Sequence, residues 1–324
     1  MPNLLIALAA MIWGGDLLLR PPALASGWSP GSLVLAEHGL LTAVFAGPLW
    51  AGRASLRSLT RGQWALLLFV SWGGSALATW LYTLSFTLGA PLTSLLLQKT
   101  QPVFALILAG WALKERRAPG FWVWCALALA GAYGLVGATT LPSWGDVRWM
   151  QAGCAVGAAM LWGGATVAGR ALTGSLSAAT LAGARFALAV PALALLAFAT
   201  RGGGGHGAGS AGGPGSWGLL LAIVLLPDLL GMALYYKGLR DTPASVATLA
   251  EMCYPLTALV IGVSVQHARL GAGQWLGLAL LVGSVLRLAS RPDVAAGLPQ
   301  ADGLPAAAAG EVRAKGAGTG RMPV

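Results

Sequence analysis

The sequence predicts an all-α polytopic membrane protein, with ten transmembrane helices arranged as two inverted five-helix repeats. Three observations predict it. Hydrophobic residues make up 56 % of the 324 residues and charged ones only 9 %, against roughly 25 % charged in a soluble domain. The apolar residues gather into ten runs close to the ~20 residues that a helical crossing needs. The chain also echoes itself. Met11-Ile12-Trp13-Gly14-Gly15 recurs as Met160-Leu161-Trp162-Gly163-Gly164. Downstream, Leu81-Tyr82 matches Leu234-Tyr235, Pro91 matches Pro243, Pro102 matches Pro255, and Gly120-Phe121-Trp122 matches Gly273-Gln274-Trp275. Five spans per unit is an odd number, so the second copy enters the membrane with opposite orientation.

In chain order the expected spans are 3–20, 31–51, 63–88, 91–113 and 120–138, then 150–172, 178–200, 217–239, 243–266 and 272–290. The third exceeds a simple crossing, which tilt or a helical extension would accommodate. Pro and Gly mark the junctions at Pro21-Pro22, Ser29-Pro30-Gly31, Gly89-Ala90-Pro91, Ala118-Pro119-Gly120 and Thr242-Pro243. The expected units are residues 1–140 and 141–290, followed by a disordered cytoplasmic tail over 291–324 rich in Ala, Gly and Pro. The glycine-rich stretch from Arg201 to Ser216 is expected to be a flexible outer loop.

The net charge of +10 forms no basic stripe with interleaved aromatics, which argues against nucleic acid. It fits membrane topology instead. With the N-terminus inside, the inner loops and tail hold fourteen Lys and Arg, while the outer loops hold Arg20, Arg148, Arg201 and Arg269. This positive-inside bias places both termini in the cytoplasm. Without a basic n-region, the first apolar run is expected to be retained rather than cleaved. Cys125, Cys154 and Cys253 sit in apolar stretches and have no metal or disulfide spacing. Trp28, Trp50, Trp64, Trp111, Trp144, Trp149, Trp217 and Trp275 fall near span ends, where the amphipathic indole prefers the interface. Trp13 and Trp162 lie deeper, beside glycines that permit close packing.

These residues resemble the EamA-type members of the drug/metabolite transporter superfamily. The resemblance is carried by Trp13-Gly14 and Trp162-Gly163 in spans one and six, by Pro102 and Pro255 in spans four and nine, and by Leu113-Lys114-Glu115 at the end of span four. It covers residues 3 to 290 and implies a ten-span carrier or exporter of metabolites, amino acids or drugs. The family often has an Arg early in the second span of each repeat. Arg185 matches it in repeat two, whereas repeat one has Glu37-His38 there. Glu115 aligns in repeat two with Gln266-His267-Ala268, which carries no acid.

A charge at the bilayer centre costs at least about 2.5–3.5 kcal/mol, so each intramembrane charge is a candidate for function. The candidates are Asp16, Glu37, Lys99, Arg185, Asp228 and Glu251. At about 1.5 Å per residue, Glu37 and Lys99 fall at similar depth below the outer face, and Arg185 and Glu251 at similar depth above the inner one. The duplication relates the two couples, so two salt bridges of reversed polarity are expected, either stapling helices or gating them. Asp16 and Asp228 lack an evident partner. A carboxyl in an apolar setting can carry a proton, and Asp228 follows Pro227, whose missing N–H opens the helix ladder. Asp16 lies near the outer end of span one and can reach water. Gln98 and Gln101 share a helix face. Tyr82, Tyr235 and Tyr236 can add hydroxyls to the same cavity, or anchor at the interface. His38, His206 and His267 form no metal pattern.

The expected function is secondary active transport of a small organic solute, proton-linked and exporting, through a cavity framed by spans one to four and six to nine. The alternatives are an intramembrane enzyme, for which no nucleophile elbow or metal motif is present, and a passive channel, which needs a continuous polar stripe. The expected partners are the lipid bilayer and a small-molecule solute. The sequence leaves room for protons as the coupling ion and for a homodimer, and points to no cofactor, metal or nucleic acid.

Overall fold

The computed structural model describes residues 2–89, 91–98, 100–112, 120–137, 149–200, 213, 215–254, 256–257, 260 and 271–290. Ten helical segments follow one another in the order expected. Helix α1 is Pro2–Ala25, α2 is Pro30–Val44 with an extension Ala46–Ala51, and α3 is Arg61–Leu88. Helix α4 is in two pieces, Pro91–Gln98 and Gln101–Ala112, and α5 is Phe121–Gly137. The second half gives α6 (Trp149–Leu172), α7 (Ala178–Ala199) and α8 (Ser216–Leu239). Helix α9 begins at Ala244–Ala250 and tightens into a 3₁₀ turn at Glu251–Cys253; α10 is Ala272–Ser290. No strand occurs among the described residues.

Local chemistry sets the boundaries. Ser29 caps α2 by accepting from the Ser32 N–H, with Pro30 in the first helical turn, where its missing N–H leaves nothing unsatisfied. Thr60 with Gln63, and Ser177 with Thr180, start α3 and α7 in the same way. Gly27 turns the chain after α1 at φ 104°, a conformation that favours glycine.

The structure corrects the first expected boundary. Pro21 and Pro22 lie within a helix that continues to Ala25, and Arg20 is 3 % exposed rather than in an outer loop. Proline is tolerated in membrane helices because neighbouring groups satisfy the backbone it frees. Arg20 therefore leaves the outer-loop count, which sharpens the charge asymmetry. The excess length of α3 also has a structural account. Phe69–Leu77 winds as a π-helix, and so does Val224–Gly231 in α8, around Pro227. Such widened turns free backbone carbonyls and recur at functional sites.

Large apolar side chains face outward, among them Ile107, Trp111, Leu195 and Phe198. An apolar exterior on this scale belongs in lipid. Trp28 departs from the interfacial expectation: it is buried, donates to Ser216 Oγ at 3.0 Å and packs edge-on against Trp217. Close backbone approach organises the interior. A Cβ at Gly14 would come within 2.6 Å of the Tyr254 carbonyl, and one at Gly163 within 3.0 Å of the Gln101 carbonyl. Helices α5 and α10 pack on each other so tightly that a Cβ on Gly131 would meet Leu281 N at 2.5 Å. Among the described residues, neither helix contributes to the central cavity.

Candidate functional site

A cavity lies between α1–α4 and α6–α9. Two aromatic pairs form parts of its wall. Trp13 sits 5.1 Å from Tyr235, and Trp162 sits 5.1 Å from Tyr82, each between ring centroids and each inclined. Both indoles reach across to a π-helical turn. Trp13 Nε1 donates to the Pro227 carbonyl at 2.9 Å, and Trp162 Nε1 donates to the Gly74 carbonyl at 2.8 Å. The offset that matches Tyr82 to Tyr235 also matches Gly74 to Pro227. The two contacts are therefore reciprocal between the sequence halves. Widening the helix at these points exposes the carbonyls that the indoles need.

The C-terminal part of α1 carries an ionic cluster. Arg20 Nε donates to Asp16 Oδ2 at 2.7 Å, while its Nη1 donates to Glu37 Oε2 at 3.0 Å and Thr83 Oγ1 at 3.1 Å. Asp228 lies near Glu37, and both line the cavity. Asp16 Oδ1 and Asp228 Oδ2 have no hydrogen-bond partner among the described residues. His38 lies beside the cluster, 3.8 Å from Glu37, with Nδ1 against the Val34 carbonyl at 3.0 Å.

This cluster corrects the expected partners. Arg20 is a cation on Glu37; Lys99, the expected partner, lies outside the described residues, as does Pro255. Asp16 is the i,i+4 partner of Arg20 on one helix face rather than a group without a partner. Asp228 has Glu37 as its neighbour. The expected bridge from Arg185 to Glu251 does not form. Arg185 donates instead from Nε to Ser75 Oγ at 2.6 Å and from Nη1 to Tyr236 OH at 3.0 Å, with Met232 sulfur at 3.6 Å. The depth estimate misled because similar depth does not make two helices neighbours. Lateral arrangement decides that, and a sequence does not carry it.

Glu251 closes a second polar chain. Gln98 Nε2 donates to Gln101 Oε1 at 2.7 Å, and Gln101 Nε2 donates to Glu251 Oε2 at 2.5 Å. Tyr235 donates to Thr166 Oγ1 at 2.9 Å, and Thr166 donates on to Glu251 Oε1 at 3.4 Å. Tyr82 meets the Tyr254 hydroxyl at 3.2 Å. The shared face of Gln98 and Gln101 is thus realised, and both line the cavity with Pro102. Arg20, Ser75, Thr83, Thr166 and Tyr254 escaped the sequence reading. The signals for two of them were present: Arg20 stands four residues after Asp16, and Ser75 is the echo counterpart of Asp228. His206 and His267, Glu115, most of the glycine-rich loop and the tail lie outside the described residues.

Fold and cavity together define a multi-pass α-helical membrane transporter, an assembly that binds a solute between helices rather than one that performs covalent chemistry. Comparison with known proteins gives the same class. The profile of the EamA-like transporter family matches residues 1–137 and 149–289, and the chain belongs to that family. A Fusobacterium nucleatum protein named Riboflavin transporter ImpX is 30 % identical over 295 residues, covering 88 % of this chain and 96 % of its own. A Bacillus subtilis protein named Uncharacterized transporter YwfM is 24 % identical over 309 residues, covering 90 % and 94 %. One solved crystal structure superposes with a TM-score of 0.67 at 19 % identity, over 90 % of this chain and 98 % of that one, a likeness of fold.

Proposed function

We propose that the chain is a secondary active, proton-linked transporter of a flat heteroaromatic solute of the riboflavin class. The observation that carries this reading is the two Trp–Tyr pairs of equal spacing in the lining of one cavity that also carries polar groups. Apolar walls with a few placed polar groups suit a planar ring bearing hydrogen-bonding edges. The name of the Fusobacterium relative agrees with that chemistry. The neighbouring Glu37 and Asp228 carboxyls hold the coupling proton. The chain is built as two inverted repeats, residues 1–140 and 141–290, and rocking of one against the other exposes the cavity to each side in turn. Each copy carries its own cavity, so a homodimer would be an assembly of two transporting units.

The test is counterflow in proteoliposomes. Purified protein should exchange internal for external riboflavin saturably, and an imposed pH difference should drive net accumulation. The exporter expected from the sequence exchanges an incoming proton for outgoing solute, so an acidic exterior should empty the vesicles. Filling under that gradient would identify a symporter instead. Failure to exchange riboflavin would overturn the substrate class.

We place the chain in the inner (plasma) membrane with both termini in the cytoplasm, on the strength of the basic asymmetry. A cysteine introduced at Gly204, in a background lacking Cys125, Cys154 and Cys253, should react with an impermeant thiol reagent on whole cells. Labelling confined to lysed cells would reverse the orientation.

A further inference from the structure

Arg185 is 5 % exposed and lines the cavity. Two of its three nitrogens are committed: Nε to Ser75, which is itself fully buried, and Nη1 to Tyr236. Their effect is to fix the plane of the guanidinium, since a fork with two anchored donors cannot rotate. The third nitrogen, Nη2, bonds to none of the described residues. It is also not among the sealed polar atoms left without a partner, so it faces open space, and the open space beside Arg185 is the cavity. No carboxylate among the described residues forms an ion pair with Arg185. A buried cation held by neutral groups is costly to maintain, and a ligand oxygen at Nη2 would complete it. A guanidinium offers donors only, so what it meets must be an acceptor.

The rest of the cavity narrows the class of acceptor. Its described residues include four acids, Asp16, Glu37, Asp228 and Glu251, against Arg20 and Arg185. Among the described residues, that balance disfavours a phosphate and suits an uncharged acceptor. The aromatic walls ask for a planar ligand. The sequence echo sets Arg185 opposite Glu37 and Ser75 opposite Asp228. At one of the two echo-related places the halves set the acids Glu37 and Asp228, and at the other Ser75 and the oriented guanidinium of Arg185.

We propose that Arg185 is the specificity-determining residue of the cavity: its Nη2 binds a ring carbonyl of an uncharged, flat heteroaromatic ligand, with Ser75 and Tyr236 positioning it. The proposal rests on the substrate reading above and adds which edge of the ligand is read, and by what.

The probes are riboflavin, 2-thioriboflavin and 4-thioriboflavin, whose sulfur is a weak acceptor, and riboflavin 5′-phosphate, each competing in counterflow. Wild-type protein should discriminate against at least one thio analogue by about tenfold, the size of one charge-assisted hydrogen bond. The phosphate should compete poorly. Arg185→Gln should raise the KM for riboflavin by a similar factor, change the maximal rate much less, and abolish the thio discrimination. Arg185→Lys should fall between. A merely structural arginine would lower the amount of active protein without altering selectivity between analogues. Discrimination that persists in Arg185→Gln overturns the proposal. So does wild-type protein that binds riboflavin and both thio analogues equally, an arm that needs no variant to fold, or wild-type protein that prefers the phosphate. Absence of riboflavin exchange by wild type overturns the substrate reading and this one with it, whereas exchange with unaltered selectivity overturns this one alone.

Discussion

Arg20→Gln will yield little folded protein, and adding Glu37→Gln will restore part of the loss. Arg20 is the cation bonded to both Asp16 and Glu37, and Asp228 adjoins Glu37. Removing one partner of a buried ion pair leaves an uncompensated charge, typically at a cost of about 3–5 kcal/mol. Three acids would remain around one vacated position, and their mutual repulsion adds to the cost. The double variant removes one acid and keeps a hydrogen-bonding amide against Thr83 and Asp228, so its penalty should be smaller than that of Arg20→Gln alone. The quantities to compare are the yield of monodisperse protein in mild detergent and its thermal midpoint. A well-folded Arg20→Gln protein, or losses that simply add in the double variant, would show that these charges act independently.

Asp228→Asn should separate coupling from transport. The asparagine amide can donate to Glu37 as a protonated Asp228 would, without ever releasing a proton. The cavity keeps its shape, but the titrating step is gone. Exchange of solute across proteoliposomes should persist at least in part, while accumulation against a gradient under a pH difference should vanish. An Asp228→Asn protein that still concentrates solute would move the coupling role to Asp16 or Glu251.

Much of the architecture was legible because it depends on composition along the chain. Ten apolar runs, the Trp13 and Trp162 echo and the helix-disturbing Pro227 each left a local mark, and the cavity is framed by the helices they indicated. Partnerships were not legible. Glu37 bonds to Arg20 seventeen residues away, and Arg185 bonds to Ser75 across 110 residues; both depend on which helices lie side by side. Arg20 was misplaced for a sharper reason. A Pro-Pro pair is a strong stop signal for a helix in water, where the freed carbonyls have solvent to turn to. Within a packed membrane helix the signal loses its force. Trp28 was misread similarly, because nearness to a span end does not reveal that Ser216 waits to accept its N–H.

The i,i+4 spacing of Asp16 and Arg20 bears on how the protein is made. Helix α1 leaves the ribosome ahead of the segments that carry Glu37 and Asp228, and it must enter the bilayer carrying a guanidinium. Inserted alone, that charge would cost about 2.5–3.5 kcal/mol. Asp16 travels on the same helix face one turn earlier and bonds to Arg20 at 2.7 Å as soon as the turn forms. The segment therefore presents the insertion machinery with a neutral pair. Glu37 becomes available with the second segment and Asp228 only with the eighth, each adding an acid to a cation already in place. The order of synthesis thus builds the cluster from its cation outward, and Asp16 serves as the arginine's escort through assembly.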